Sequence, residues 1–591
     1  MPGGPRVARH FLLSLGTWWG GSVQGQRSGG VRGYSFAMSA ALPSEHRWLW
    51  GPARDLLFGC GVWYLLVFAV FLYGGPAARA FQPIFLAPLL ILLLSTPHYG
   101  ATLVRVYEQR AERRAYAFFT VWTTLGLLVL FVWGVQDAAV GTLLFTAYLT
   151  WSPWHYTGQN YGIAVMFMRR RGFDSLAGKR WLYASFIASY ALTFLVMHRA
   201  DGPSRALAEG GVHLARLGIP AGFADPVIPV LAGAWMVALV GAGWQMLRRG
   251  QGGARDLLPV GLLALSQAVW FTVPDLARFL GDKPAAEALD FDYRAFYFNW
   301  VVVAHAVQYL WITSYYARGE SNRSSTPQYL LKTLLAGNVA WLLPAMVFAP
   351  QFLGGTVSEL TVGLLVASLV NLHHFILDGA IWKLRKSKIA DILIRSEVRD
   401  EPGASPSNEG GRRLAPVFWA FASALLVVGI AEFAVQRVVL PAFLEEQRYD
   451  RAASWLDVLG WIGRDSATAR AEMGIALADA GRPAEAARAL AQSAALTPNP
   501  EVFGELSRLE FGLGQLARAG KSADRAAELA PDRFDVLSLA GEVQLELGNY
   551  PQAEAYFRRA LRLNPNWAVA KHGLEEALRA GGAVSETGRG R

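Results

Sequence analysis

Long apolar segments dominate the first three quarters of the chain. Eleven of them approach the length of about 20 residues that crosses a bilayer as a helix, and short polar stretches separate them. The predicted segments are 55–75, 82–106, 115–134, 139–168, 181–198, 227–247, 257–273, 296–316, 331–350, 360–384 and 415–437. Segment 139–168 contains Pro153, at which we expect the helix to break. The pattern predicts an all-α fold, a polytopic transmembrane helical bundle.

A different pattern begins after the last apolar segment. Residues 438–591 are rich in Ala, Leu, Arg and Glu with helical periodicity, and a spacing of about 34 residues recurs in them. The positions that share this spacing are Gly474, Ala486, Pro498, Pro531, Gly541, Ala553, Phe557, Ala560 and Pro565. Small residues let the two helices of a pair approach closely, and proline ends the second helix. Over roughly 465–580 the segment resembles the tetratricopeptide repeat (TPR) family.

This resemblance implies a right-handed α-solenoid whose concave face binds a protein or peptide. The alternative is a packing module that docks on the outer face of the membrane domain. We expect a partial helix pair near Tyr449, Ala452 and Leu456 to precede the repeats, and a capping helix at about 566–580 to follow them.

Composition agrees with a membrane protein. The 591 residues are 53% hydrophobic and only 17% charged, with a mean hydropathy of +0.26. Soluble globular proteins carry about 25% charged residues, so a compact soluble enzyme is excluded. The 21 Trp, 20 Tyr and 32 Phe exclude a wholly disordered chain. The single cysteine, Cys60, excludes an intrachain disulfide framework and a thiolate metal cluster.

The net charge of +10 is explained by topology rather than by nucleic-acid binding. Arg and Lys follow the even-numbered apolar segments, whereas the loops after odd-numbered segments are poor in basic residues or acidic. This alternation follows the positive-inside rule. It predicts a multi-pass protein of the bacterial inner membrane with a cytoplasmic N-terminus and a periplasmic TPR-like domain. The expected partners are the lipid bilayer and a protein or peptide, and no nucleic acid.

The topology divides the chain into five parts. Residues 1–54 are an N-terminal cytoplasmic segment, in which 1–37 lack acidic residues and precede Met38. A misassigned start codon is our interpretation of that stretch, with a targeting peptide as the alternative. Residues 55–385 are the ten-span membrane domain and 386–414 a flexible cytoplasmic loop. Residues 415–437 are the last span, and 438–591 are the extracytoplasmic TPR-like domain.

Ionisable residues inside a bilayer are costly and are therefore candidates for function. Five histidines lie within spans: His98, His155, His305, His373 and His374. They occupy the second, fourth, eighth and tenth segments, which run in the same direction, and they precede the cytoplasmic basic residues by 7 to 14 positions. At 1.5 Å per residue this places them roughly 10–20 Å below the inner surface. We therefore predict one layer of imidazoles, from which His198, at the outer end of the fifth segment, is excluded.

This layer predicts a buried metal site. His373 and His374 point about 100° apart on a helix, so only one is a ligand, and Asp378, one turn from His374, favours His374. The predicted ligands are His98, His155, His305, His374 and Asp378. We expect Asp378 to pair with a histidine or with Arg105, and amides one turn from the imidazoles to orient them. The residues expected to surround the ligands are Gln159, Gln308, His373, Tyr99 and Tyr156.

Neutral imidazoles with one carboxylate suit iron, copper or zinc, and iron with open positions supports oxygen chemistry. Such a site is similar in concept to that of the bacterial membrane dioxygenases that cleave carotene, although the HxxHH-type motifs of fatty-acid hydroxylases are absent. Bis-histidine haem ligation is an alternative, because aromatic residues are abundant around these positions. A further alternative is that each histidine only hydrogen-bonds across a helix interface.

Three functions remain open from the sequence. One is a metal-dependent oxidoreductase that acts on a lipid-soluble substrate, and another is a non-enzymatic membrane assembly or secretion scaffold. The third is a multi-span lipid-linked glycosyltransferase. That class places an acidic residue in the first external loop, but 75–81 has none. Asp290 and Asp292, in the acidic loop 275–294, are the substitutes that this third hypothesis needs.

Overall fold

The chain is helical through the residues that the structure, a computed structural model, describes. These are 47–74, 86–108, 116–173, 176–200, 211–249, 253–280, 300–320, 325–353, 357–382, 387–395 and 409–588. Several sequence predictions fall outside these ranges: the segment 1–37, the loop 75–81, and the acidic residues Asp290 and Asp292.

Twelve labelled helices build the membrane domain and the last apolar segment. In chain order they are α1 (Pro52–Gly59), α2 (Val62–Tyr73), α3 (Ala87–Tyr107), α4 (Phe118–Gln136), α5 (Ala138–Arg170), α6 (Leu176–His198), α7 (Ala221–Arg248), α8 (Ala254–Ala277), α9 (Val302–Glu320), α10 (Thr326–Val347), α11 (Glu359–Ile381) and α12 (Leu414–Glu445). Each of the eleven predicted segments therefore contains a helix.

Within the described ranges, eight helices are long and apolar enough to cross a membrane, and nine if the α1–α2 pair, bent by 53°, counts as one span. Helices α5 and α9 fall outside this set, and both carry His and Gln residues that lower their mean hydropathy. The protein thus has several apolar helices of spanning length. That eleven of them cross the bilayer stays a prediction.

Helix α5 is not broken at Pro153, contrary to the sequence prediction. It runs without interruption from Ala138 to Arg170 over 33 residues, which corresponds to about 50 Å. Asp137 caps its N-terminus by accepting hydrogen bonds from the backbone N–H groups of Ala139 and Val140. The helix is therefore a long continuous element that carries His155 through the centre of the bundle.

Side chains from loops predicted to be cytoplasmic meet at one end of the bundle. The buried Arg170 guanidinium donates hydrogen bonds to the carbonyl oxygens of Leu393 and Trp48, at 2.8 and 2.9 Å. Arg171 lies 3.2 Å from a carboxylate oxygen of Asp256. These contacts join the loops that follow the fourth, sixth and tenth segments to the N-terminal part of the chain. The predicted alternation requires this convergence, while the identity of the compartment stays a prediction.

The first part of the segment 386–414 is not a flexible loop. Residues 387–395 form a short helical stretch, in which Ile389, Ile392 and Leu393 are buried against the bundle. The apolar positions in KSKIADILI supply this buried face. The flexibility predicted for the second half of this loop stays a prediction, since residues 396–408 lie outside the described part.

Helices α13–α20 form a solenoid after the last apolar helix. They are α13 (Tyr449–Trp461), α14 (Ala467–Asp479), α15 (Pro483–Leu496), α16 (Pro500–Gly512), α17 (Leu516–Leu529), α18 (Phe534–Glu546), α19 (Tyr550–Leu563) and α20 (Ala568–Gly588).

The small residues of the predicted repeats lie at the contacts between paired helices. Ala486, Ala553 and Ala560 are fully buried. A Cβ atom on Gly541 would lie only 2.7 Å from the ring of Phe557, which is itself fully buried. Glycine is therefore needed for the close approach of α18 and α19. The predicted partial helix pair and the predicted capping helix correspond to α13 and α20.

Candidate functional site

Four helices bring one histidine each to a common point inside the bundle. His98 lies on α3, His155 on α5, His305 on α9 and His374 on α11. The ring centroids of neighbouring imidazoles are 4.6 Å (His98–His374), 5.0 Å (His155–His374), 5.1 Å (His155–His305) and 5.3 Å (His98–His305) apart. The four rings form a closed quartet, in agreement with the predicted layer.

The quartet is buried, and many of its nitrogens lack partners. His98, His305 and His374 are 0–2% exposed, and the side chain of His155 is 10% exposed. Among the described residues, hydrogen-bond partners are missing for Nε2 of His98, His155 and His374 and for both ring nitrogens of His305. A buried polar atom without a partner costs about 1–3 kcal/mol. The arrangement therefore offers several imidazole nitrogens at one point inside the bundle.

Two of the imidazoles are held in the tautomer that a metal ligand needs. His98 Nδ1 lies 2.5 Å from the carbonyl oxygen of Ser95, which can only accept, so Nδ1 carries the proton. His374 Nδ1 lies 2.9 Å from Thr102 Oγ1, and that hydroxyl donates to Asp378 Oδ1 at 2.9 Å. Thr102 therefore accepts from His374 Nδ1–H. In both rings the lone pair is on Nε2, the atom without a partner.

A second polar layer lies one helical turn from the quartet. Thr102, Tyr309 and Asp378 each follow a histidine of the quartet by four residues, on α3, α9 and α11. The Tyr309 hydroxyl donates to Asp378 Oδ1 at 2.6 Å and lies 2.7 Å from Thr102 Oγ1. Trp382 Nε1 donates to the same tyrosine oxygen at 2.9 Å. These contacts fix the carboxylate and leave its second oxygen facing the imidazoles.

Asp378 lies beside the quartet as predicted, but it does not pair with Arg105. Its Oδ2 atom lies 3.5 Å from His374 Nε2 and 4.0 Å from His155 Nε2. The Arg105 guanidinium instead lies over the rings of Tyr316 and Trp382, 4.1 and 3.9 Å from their centroids. Cation–π contacts with these two rings, rather than an ion pair with Asp378, therefore stabilise the position of the Arg105 side chain.

The donor atoms are close enough together to hold a metal ion. One atom from each of His98, His305 and His374 lies within 4.8 Å of the others, and the same holds for His155, His374 and Asp378. The two groups share His374 and together contain five candidate ligands. An ion bound by imidazole nitrogens at about 2.0–2.1 Å needs only small movements of these side chains.

The predicted amides do not orient the imidazoles. Gln159 Nε2 donates to Gln308 Oε1 at 2.6 Å and to the carbonyl oxygen of His305 at 3.2 Å, and Gln308 Nε2 donates to the carbonyl oxygen of Gly59 at 2.9 Å. This part of the prediction is wrong because an amide carries both donors and an acceptor, so the two glutamines satisfy each other. They tie α5, α9 and α1 together beneath the quartet.

His373 and His198 lie outside the quartet, as the sequence indicated. His373 Nε2 lies 2.8 Å from Thr124 Oγ1 on α4, which is the helix–helix hydrogen bond expected of a structural histidine. His198 Nε2 lies 3.0 Å from Thr150 Oγ1 on α5. Adjacent residues 373 and 374 therefore have different surroundings.

Aromatic rings close the sides of the quartet. Tyr156 stacks on His305 with centroids 4.0 Å apart, and Phe375 stacks on His155 at 4.3 Å. Tyr99, next to His98, donates its hydroxyl to Asn371 Oδ1 at 3.0 Å. With their centroids 4.6–5.3 Å apart, neighbouring imidazoles leave no gap for a porphyrin plane between them. The geometry suits a single metal ion and does not fit the haem alternative.

Sequence reasoning missed Thr102, and it counted Tyr309 and Trp382 only among the aromatic residues around the histidines. The signal that could have found Thr102 and Tyr309 is their spacing of four residues from His98 and His305, the same spacing that identified Asp378. Thr and Tyr are ordinary in membrane helices, so this spacing alone does not distinguish them from packing residues.

Comparison with known proteins identifies one part of the chain. The tetratricopeptide repeat family matches residues 534–567, which contain α18 and α19. The chain therefore contains a tetratricopeptide repeat, a module that mediates protein–protein interaction. No curated protein matches the chain.

Proposed function

We propose that the chain is an integral membrane metalloprotein whose histidine quartet and Asp378 bind one transition-metal ion. The observation that carries this proposal is the convergence of four buried imidazoles with five nitrogens that lack hydrogen-bond partners within the described residues. Two of these rings already present Nε2 as a free lone pair. Imidazole-rich sites with one carboxylate suit iron, copper and zinc.

Within this proposal the site is an iron-dependent oxidoreductase centre. Bound iron with an open position would supply redox chemistry with dioxygen. The protein would supply the surroundings: Thr102 and Tyr309 hold Asp378 Oδ1, so that Oδ2 stays directed at the imidazoles. Tyr156 and Phe375 exclude water from two sides of the quartet.

A lipid-soluble substrate fits the position of the site. His155 is the most exposed of the four imidazoles, which favours approach along α5. A small crevice between α5 and α6 is lined mainly by apolar and aromatic residues. Its lining residues are Trp154, Thr157, Gly158, Tyr161, Tyr183, Phe186 and Ile187. The adjoining lipid-facing surface would deliver an apolar molecule laterally.

The TPR solenoid would then recruit a protein partner on the extracytoplasmic side, in a bacterial inner membrane. Support comes from the family match at 534–567 and from the basic loops, which converge at the opposite end of the bundle from the solenoid junction. The match equally favours a membrane scaffold without enzymatic activity, in which the histidines are structural. The metal experiment separates the two functions.

The test is elemental analysis of detergent-purified protein prepared without chelators. Wild type should contain about one equivalent of iron or another transition metal, and His374→Ala and His98→Ala should lose most of it. His373→Ala is the matched control, because this neighbouring histidine bonds to Thr124 and should leave the metal content unchanged. A metal-free wild type, or equal loss in His373→Ala and His374→Ala, contradicts the metal site.

A second measurement tests the redox assignment. Metal-loaded wild type, supplied with a membrane lipid extract and air, should consume oxygen, and His374→Ala should not. Bound zinc in place of iron, with no oxygen uptake, would retain the metal site and reject the oxidoreductase.

A further inference from the structure

The first helix of the solenoid exposes apolar residues on one side. Helix α13 buries Tyr449 and Leu456 against the solenoid, but Trp455, Val458 and Trp461 are 42%, 44% and 80% exposed. Their spacing of three residues places them on one side of the helix. Such a row of exposed large apolar residues indicates contact with something outside the chain.

The C-terminal end of α13 abuts the membrane domain. Gln351 Nε2 donates a hydrogen bond to the Gly460 carbonyl oxygen at 3.5 Å. A Cβ atom on Gly463 would lie 2.7 Å from the Met346 carbonyl oxygen and 2.9 Å from the ring of Phe352. Phe352, just after α10, is itself 55% exposed. Trp461 is therefore held beside the end of a candidate span.

The depth of Trp461 follows from helix α12. The apolar part of α12 begins at Leu414, and about 20 residues cross the hydrocarbon core, so the helix leaves it near Glu432. Arg464 pairs with Glu432 at 2.6 Å, which puts the residues around 464 at the same level. The chain reverses at Gln447, whose φ is 55°, and α13 runs back towards this level. Trp461 thus lies at the predicted surface of the membrane.

Of the two remaining exposed residues, Val458 lies within the headgroup region and Trp455 lies just beyond it. At 1.5 Å per residue, Val458 and Trp455 are about 4.5 and 9 Å further out than Trp461 along the axis of α13. The interfacial region on each side of the core is about 5–8 Å thick. Tryptophan is enriched at this depth because its ring is amphipathic.

We propose that Trp461, Val458 and Phe352 form an interfacial anchor that contacts the lipid headgroup region and fixes the solenoid's first helix on the membrane surface. The occupant of this surface is lipid, since the patch adjoins the exposed apolar surface of the candidate spans, including Val347 at the end of α10. The inference rests on the proposed membrane insertion. It leaves the later helices of the solenoid, including the matched repeat at 534–567, for a protein partner.

Site-directed spin labelling of full-length protein in phosphatidylcholine–phosphatidylglycerol liposomes tests the anchor. The only native cysteine, Cys60, is fully buried, so engineered cysteines are labelled selectively, with wild type as the blank. The probe is Val458→Cys, which keeps Trp461 in place. Val427→Cys on α12, 65% exposed in the native protein, is the membrane control, and Leu516→Cys on α17, 44% exposed, is the aqueous control.

The readout is the ratio of label accessibility to oxygen over accessibility to a water-soluble nickel complex. We expect this ratio at position 458 to be several-fold above that at 516 and below that at 427, and to fall when Trp461→Ser is added. A ratio at 458 equal to that at 516 overturns the anchor and assigns the patch to water or a protein partner. A low ratio at 427 instead overturns membrane insertion itself, so the two failures are distinguishable.

Discussion

Substituting Gly100 with alanine should displace the helix that carries His98 and lower the metal content of the proposed site. Gly100 lies on α3 between His98 and Thr102 and faces α10. A Cβ atom at this position would lie 1.8 Å from the Thr333 carbonyl oxygen. Real Cβ contacts are essentially never below 3.0 Å, so the helices must separate locally by at least 1.2 Å (3.0 minus 1.8). Gly337 is under the same constraint from the other side, at 1.9 Å from the Thr96 carbonyl oxygen.

A displacement of this size exceeds the tolerance of a binding site. Ligand constellations must be held within about 0.5 Å of their productive geometry, and His98 moves with Gly100. Overpacking in a well-packed interior costs about 1–3 kcal/mol. We therefore expect Gly100→Ala to retain less than half of the wild-type metal content and to unfold more readily when heated in detergent.

Gly363→Ala is the matched control for this variant. Gly363 lies on α11, the helix that carries His374 and Asp378, and a Cβ atom there would have no heavy atom within 4 Å. This variant should keep the wild-type metal content, and its stability should be unchanged or slightly higher because alanine favours helix. Full metal content and undiminished stability in Gly100→Ala would refute the close-packing argument.

Two further predictions concern the solenoid of the full-length protein. Gly541→Ala should clash with the Phe557 ring and lower the free energy of unfolding by about 1–3 kcal/mol, which raises the rate of limited proteolysis of the solenoid about 5- to 150-fold. Gly512→Ala is the control, because the space around Gly512 is open and the rate should not change. An equal rate in both variants rejects the predicted clash with Phe557. Burial, and after it the nearby Asp524 carboxylate, raises the pKa of Tyr556 to about 12. The contribution of Tyr556 to the stability of the solenoid is therefore complete below about pH 10 and is lost as the pH rises through about 12. Tyr556→Phe should lessen the loss of protease resistance at alkaline pH, and an unchanged pH profile would contradict this role of Tyr556.

The sequence predicted the quartet because histidine is conspicuous in an apolar helix. The basic residues at the helix ends predicted a common depth, and the structure brings the four rings together from four helices. The choice of His374 over His373 followed from Asp378 one turn away, and the geometry agrees with it. Helical period and helix ends were sufficient for these predictions.

Other contacts depended on packing across helices, which no single segment encodes. Gln159 and Gln308 have suitable spacings from their own histidines, yet each is closer to the other once α5 and α9 pack together. Arg105 lies within one turn of the polar layer but has two aromatic rings nearby, and it stacks on them. Local spacing predicts which residues share a face, while the neighbouring helix decides which partner each one takes.

The same residues that weaken two helices as membrane spans also supply half of the quartet. α5 and α9 fall outside the set of apolar spans, and they carry His155 and His305. If histidines served only to join helices, their nitrogens would hold partners on neighbouring helices, as His373 does with Thr124. Within the described residues, neither nitrogen of His305 has a partner. Five such nitrogens at about 1–3 kcal/mol each would cost about 5–15 kcal/mol, comparable to the net stability of a whole domain. A bound cation would engage one lone pair on each of the four imidazoles, and this is the physical argument for the proposed metal ion over structural histidines.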